Sequence, residues 1–291
     1  MASPTYKWRL ARQVVTIDER PLVMGILNVT PDSFSDGGRF LSTGAAIDHG
    51  LRLVEQGADL LDIGGESSRP GAQPVSLEEE LRRVVPVVEA LAGRVRVPLS
   101  VDTTKAEVAR ACLASGAAII NDITGLRGDP GIVDVVREAS AGAVVMHMQG
   151  TPQSMQDGPH YEDVIAEIGQ FFETRLHELA DLGIPLDRVA LDPGVGFGKR
   201  TAHNFAIIAR LGELRRLERP ICLGVSRKGF LGAVLAQPLE RRLIGSLAAV
   251  AYCACRHTAQ IARVHDVAET VDLLKALEAI DSHGEAHDSG G

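Results

Sequence analysis

Polar residues able to bind or react stand at the ends of this chain's short apolar runs. Asn28 follows the run 22–27, Asp102 follows 97–101, Asn121 and Asp122 follow 118–120, and His147 follows 143–146. Asp192 follows 189–191, Ser226, Arg227 and Lys228 follow 221–225, and Arg263 and His265 lie in and just beyond 261–264. The run 60–63 leads into GGESSRPGA, which carries Ser68, Arg69 and Pro70. Two chemistries separate. Asp102, Asn121, Asp192 and Lys228 mix acceptors with donors, which suits a flat heterocycle with N–H groups along one edge beside a carbonyl. A carboxylate takes two N–H groups side by side, and an ammonium holds a carbonyl or ring nitrogen. Asn28, Arg69, Arg263 and His265 offer donors and positive charge with no carboxylate partner in their motifs, which suits a phosphate or diphosphate.

The elements that must position these residues are legible from periodicity. About eight apolar runs of strand length alternate with longer helical patterns, and the runs are continuously apolar, as in strands buried on both faces. That is the pattern of an α/β chain folded as a single-domain (β/α)8 TIM barrel, whose reactive groups gather at the C-terminal ends of its strands. Ser76 and Glu79 read as a capping box for a helix with apolar positions Leu77, Leu81, Val84, Val88 and Leu91, and Pro86 implies a kink or an early turn in it. Residues 162–182 form a second amphipathic helix closed by Gly183. The expected division is an N-terminal extension over 1–20 with a small hairpin against the barrel bottom, a barrel over 21–280, and a flexible polar tail over 281–291.

Composition narrows the function class. The 291 residues are 45% hydrophobic and 23% charged, enough to bury a full core. A net charge of −8 argues against a nucleic-acid or membrane binder, which needs a basic face. Cys112, Cys222, Cys253 and Cys255 form no CxxC pair and read as reduced, mostly packed thiols of a cytoplasmic protein.

The segments GILNVTPDSFSDGG, DIGGESSRPGA, SVDTTKAEV, IINDI, MHMQGTPQSMQ, LDPGVGFGK, GVSRK and RVHDV resemble, in order, the motifs of the dihydropteroate synthase family. The resemblance covers residues from about 21 to about 280. It implies a (β/α)8 barrel, a homodimer, and Mg2+ assisting a diphosphate. The small-molecule substrates it implies are a pterin diphosphate and 4-aminobenzoate. Carried over by position, Asp102, Asn121, Asp192 and Lys228 are pterin-site residues, with Asp102 and Lys228 catalytic. Asn28, Ser68, Arg69, Arg263 and His265 match the diphosphate site, with Asn28 also at the metal. Phe34, Pro70, Phe197, Ser226 and Lys228 match the aminobenzoate pocket. Residues 30–38 and 65–72 match two mobile loops. Position 68 is often Thr in that family and is Ser here, which keeps the hydroxyl.

Each assignment has a plainer alternative. Asp102 is also a fitting helix cap, and Asp192-Pro-Gly also a turn signal. Arg227 reads as structural, and His265 as a possible partner of Asp266. His147 has no second ligand at metal spacing and reads as a core or supporting histidine. GFG at 196–198 lacks the third glycine of a dinucleotide fingerprint. The rival activities are a pterin-barrel methyltransferase, which needs no diphosphate cluster, and a non-catalytic pterin-binding paralogue, which would have lost the loop motifs.

Overall fold

A computed structural model describes residues 5–29, 43–69 and 71–288, the last five by backbone alone. The expected loop 30–38 with Phe34, the pocket residue Pro70 and residues 289–291 lie outside the described residues. The strands are β1 (Tyr6–Arg9), β2 (Val14–Ile17), β3 (Leu22–Asn28), β4 (Leu60–Gly64), β5 (Leu99–Asp102), β6 (Ile119–Asp122), β7 (Gly142–Met146), β8 (Val189–Asp192), β9 (Cys222–Gly224) and β10 (Ile261–Val264). Between and after the later strands run α1 (Thr43–Glu55), α2 (Leu77–Ala92), α3 (Ala106–Ala114), α4 (Ile132–Glu138), α5 (Val164–Asp181), α6 (Thr201–Arg210), α7 (Gly229–Leu235), α8 (Leu243–Ala254) and α9 (Val267–Asp288). All eight apolar runs are strands. They pair in parallel in the order β8-β7-β6-β5-β4-β3-β10-β9. A parallel bridge between Leu191 and Ile221 joins β8 to the chain entering β9 and closes the barrel.

The inward rows of the barrel change chemistry with height. Met24, Leu60, Ile119, Val144, Ala190, Cys222 and Ile261 share one buried cluster with Tyr6, Trp8, Leu10 and Ile17 of the N-terminal segment. Side chains alternate faces along a strand, so the residue two positions on from each also points inward. Those residues are Ile26, Asp62, Asn121, Met146, Asp192, Gly224 and Arg263. Polar groups thus begin one layer above an apolar floor. The antiparallel hairpin β1–β2 closes that floor from below. Trp8 is fully buried there, its indole N–H donates to the Arg188 carbonyl at 2.8 Å, and Leu10 packs over Gly142, where a Cβ would lie 2.5 Å from it.

Three local expectations change. The Ser76 hydroxyl accepts the Glu79 N–H at 3.3 Å, but the Glu79 carboxylate turns to Arg82 and Arg83 at 2.7–2.9 Å, so only half of the capping box is built. Charge-assisted bonds to two guanidiniums outweigh one backbone N–H. α2 runs on through Pro86 without an early turn, because Val84, Val87, Val88 and Leu91 are all buried on one side of it. Residues 281–288, read as tail, continue α9, with the Ser282 hydroxyl donating to the Ala279 carbonyl at 3.1 Å. Among the described residues no helix is long and apolar enough to cross a membrane.

Trp8→Ala should lower the stability of the whole barrel, since a buried Trp-to-Ala change costs about 3–5 kcal/mol. Urea unfolding should show a lower midpoint with an unchanged slope. A midpoint equal to wild type would mean that the hairpin is not part of the barrel core.

Candidate active site

The polar layer is organised around one arginine. Arg263 on β10 donates through Nε to Asp62 Oδ2 at 2.6 Å and through Nη2 to Asp102 Oδ2 at 2.8 Å. Asn121 donates through Nδ2 to the same Asp62 oxygen at 3.0 Å. The other Asp62 oxygen is buried with no hydrogen-bond partner among the described residues. The motif around Arg263 offers it no carboxylate partner, and its partners come instead from strands far away in sequence. Burial works against the Arg263 cation, but the two carboxylates more than offset it and raise its pKa. Two carboxylates cannot both be fully compensated by one guanidinium. Burial pushes the Asp102 carboxyl up to about 7, against the pull of Arg263 and with help from the Asp62 charge.

A second group gathers where β7, β8 and β9 end. Asp192 is buried and accepts the Gly194 N–H at 2.7 Å through Oδ1. Its carboxyl is also raised, by burial, against the pull of Lys228. A Cβ on Gly224 would stand 3.7 Å from Lys228 Nζ and 3.8 Å from Asp192 Oδ2, so both groups converge over that glycine. Burial lowers the Lys228 ammonium to about 8, with Asp192 holding it up. Lys228 also lies 4.6 Å from the centre of the Phe197 ring. The turn that carries Phe197 is held at four successive carbonyls. Val195 accepts from Lys228, Gly196 from Gln156, Phe197 from Lys199 and Gly198 from Tyr161. Burial lowers Lys199 to about 7. His147 packs edge-on against Phe171 at 5.0 Å, and burial, then Lys199, pushes it down to about 3. Asp122 caps its own turn through Thr124 and Leu126 and faces away from the site.

The mouth is lined by the remaining expected residues. Asn28 ends β3 beside Gly64, where a Cβ would be 3.9 Å from Asn28 Oδ1 and 3.5 Å from Asp102 Cβ. Ser68 is half-buried and Arg69 exposed. The base of their segment is fixed by Lys105, whose ammonium meets Glu66 and Glu80 at 2.5 Å each, and by Arg83, which donates to the Gly65 carbonyl at 2.8 Å. The Ser226 hydroxyl accepts the His265 N–H at 3.1 Å and lies 3.0 Å from His265 Nδ1. Burial, then Arg263 and Arg227, lowers His265 to about 4, so near pH 7 it offers one N–H donor rather than positive charge. Asp266 pairs with Arg227 and not with His265, with Arg227 Nε at 3.0 Å. Arg227 itself has φ 55, a strained value for a non-glycine residue directly before Lys228.

Comparison with known proteins follows from this geometry. The family described as "Pterin binding enzyme" matches residues 24–265. The dihydropteroate synthase of Escherichia coli K12 is 47% identical over 93% of this chain and 96% of its own. The chain belongs to the dihydropteroate synthase family. The Xanthomonas albilineans dihydropteroate synthase solved with 4-aminobenzoic acid superimposes with a TM-score of 0.88 at 48% identity, over 96% of this chain and 99% of that one. The Burkholderia cenocepacia dihydropteroate synthase complexed with 7,8-dihydropteroate gives 0.86 at 46%, over 97% and 98%.

In this member of the dihydropteroate synthase family, Asp102, Asn121, Asp192, Lys228 and Arg263 converge inside the mouth, while Asn28, Ser226 and His265 stand at its rim. Sequence reading overlooked Asp62 and Lys199. Asp62 had a signal, a carboxylate inside the apolar run LLDIG at the same inward parity as Leu60. Lys199 stood in GFGK with nothing local to mark it as buried.

Asp102 should reveal itself in the pH dependence of stability. An unfolded aspartate titrates near 4. Between about pH 4 and about 7 the folded chain therefore keeps a proton at Asp102 that the unfolded chain has released, and stability falls as pH rises through that window. Asp102→Asn lacks this loss, so wild type should lose about 2–4 kcal/mol relative to the variant between about pH 4.5 and about 7.5. Urea unfolding at both pH values measures it. Parallel pH dependence would mean that Arg263 keeps Asp102 ionised throughout.

Proposed function

We propose that this chain condenses 6-hydroxymethyl-7,8-dihydropterin diphosphate with 4-aminobenzoate, giving 7,8-dihydropteroate and pyrophosphate in folate biosynthesis. The observation that carries the reading is the buried polar layer of a barrel of this family, with Asp192, Asn121, Asp62 and Arg263 set above an apolar floor and open only at the top. The Asp192 carboxylate and the Asn121 amide suit the N–H-rich edge of a pterin, and Lys228 its carbonyl or ring nitrogen. Asn28, Ser68, Arg69, Arg263 and His265 face the diphosphate. Phe197 and Ser226 are assigned to the arylamine pocket, and by the family's motifs so are Phe34 and Pro70, which lie outside the described residues. As the methylene C–O bond breaks, its electron pair leaves with the diphosphate and positive charge spreads into the dihydropterin. Asp102 stabilises that charge. The arylamine lone pair then forms the C–N bond, and the nitrogen releases a proton. An aniline-type nitrogen is nucleophilic without a strong base, so no paired acid and base are needed.

Among the described residues no group of three acidic, His or Cys side chains could hold a metal. That fits Mg2+, which keeps several waters and binds through substrate phosphates rather than an all-protein cage. Asn28, with its Oδ1 at the rim, is the residue that would hold it. Bound there, Mg2+ would neutralise charge developing on the leaving diphosphate.

The chain acts as a homodimer. Val234, Leu235, Leu239, Ile244 and Tyr252, five of the ten large exposed hydrophobics among the described residues, fall on α7, α8 and the turn between them. A face that apolar calls for a partner, and a second copy is the one proposed. Ile244→Asp should shift the dimer to monomer in sedimentation, and an unshifted dimer would place the interface elsewhere. The four free thiols match the reducing cytoplasm, where the proposed activity is placed.

Mixing the two substrates with Mg2+ should release pyrophosphate and form dihydropteroate; no release would reject the activity. Asp192→Asn should mainly weaken pterin binding, because it holds the ring in ground and transition states alike. Asp102→Asn should keep measurable pterin binding but lose turnover by roughly a hundredfold, about 3 kcal/mol. Fluorescence titration and a coupled pyrophosphate assay separate the two. Normal turnover of Asp102→Asn at saturation would remove its charge-stabilising role.

A further inference from the structure

One buried cation has no part in the chemistry above. Lys199 is 3% exposed, in the loop between β8 and α6. Its Nζ lies 2.9 Å from the Phe197 carbonyl, 3.3 Å from the His147 carbonyl and 3.0 Å from His147 Nδ1. In its ammonium form Lys199 has three donors and no acceptor, one for each of the three contacts, with the lone pair of His147 Nδ1 taking the third. The clamp therefore joins two turns, the one after β7 and the one after β8.

Those two turns are already pressed together. Gly194 and Gly198 have φ 65 and 62, and a Cβ on either would collide with the carbonyl of His147 or Gln149 respectively. Phe197 sits between these two contacts, its ring over Lys228. A small shift of one turn against the other would move that ring. Losing the ammonium would also leave the Phe197 and His147 carbonyls short of a donor in a buried place, which drives such a shift.

We propose that Lys199 is a positioning residue for the arylamine substrate, clamping the backbone of Phe197 to the turn after β7 so that the Phe197 ring forms a fixed wall. The inference rests on the reading of Phe197 as part of the aminobenzoate pocket. Lys199 acts through Phe197 and touches neither substrate.

The test is a double-mutant cycle in the full-length enzyme, with Lys199→Met, Phe197→Ala and the pair. Lys199→Met should raise the KM for 4-aminobenzoate roughly tenfold while the pterin Kd moves by less than about twofold. In the Phe197→Ala background, adding Lys199→Met should change that KM by less than about twofold. Should Lys199→Met fail to fold, Lys199→Gln, which can still serve one carbonyl, takes its place and should show a smaller rise in the same KM alone. An unchanged KM overturns the inference. So does a rise that persists undiminished without the Phe197 ring, or a pterin Kd that weakens in proportion. If Phe197→Ala leaves the aminobenzoate KM unchanged, the assignment of Phe197 falls and the clamp's role falls with it. If Phe197→Ala raises it and Lys199→Met does not, only the clamp's role falls.

Discussion

An arginine enclosed in a barrel must be paired, and here a single guanidinium serves two carboxylates. Arg263 reaches Asp62 and Asp102 across sequence separations of 201 and 161 residues. Asp62 in turn holds the Asn121 amide. The polar layer is therefore a network in which each group's charge state depends on the others. Burial, reinforced by the neighbouring Asp62 charge and opposed by Arg263, raises the Asp102 carboxyl. A cationic centre entering beside it would favour the ionised form, just as an anion beside His265 would favour its protonation. The charges of the reacting pterin diphosphate are of the sign that both sides of the site favour.

Such a layer is tolerable only because of what lies beneath and around it. The apolar floor, sealed by Trp8 and Leu10, excludes water from below, so the buried charges face the mouth alone. Above, the turns after β7 and β8 interlock through glycines that leave no room for a side chain and through four carbonyls held by side chains, three of them from other segments. Rigidity is placed where a flat ring must be gripped. The segment carrying Ser68 and Arg69 is fixed at its base, through Glu66, Lys105 and Glu80, while Arg69 itself reaches solvent.

Local sequence determined a good part of this protein. Largely apolar runs of strand length marked all eight barrel strands, because a strand buried on both faces has few polar positions to interrupt it. Asn28, Asp102, Asn121, Asp192 and Lys228, at the ends of those runs, arrived at the mouth, since a parallel barrel puts every strand's C-terminal end on one face. The ordered motifs identified the family and with it the reaction.

Tertiary structure decided what depends on partners and burial. Asp62 went unassigned because its inward parity matters only once the neighbouring strands form a layer. Arg263 and His265 looked like free positive charges in sequence; folding gave the first two carboxylates and buried the second until it was neutral. Asp266 stood next to His265 in the chain yet chose Arg227, whose bidentate fork binds a carboxylate better than an imidazole does. Lys199 looked like any loop lysine until two turns closed on its ammonium. In each case the deciding energy, desolvation against pairing, comes from groups distant along the chain.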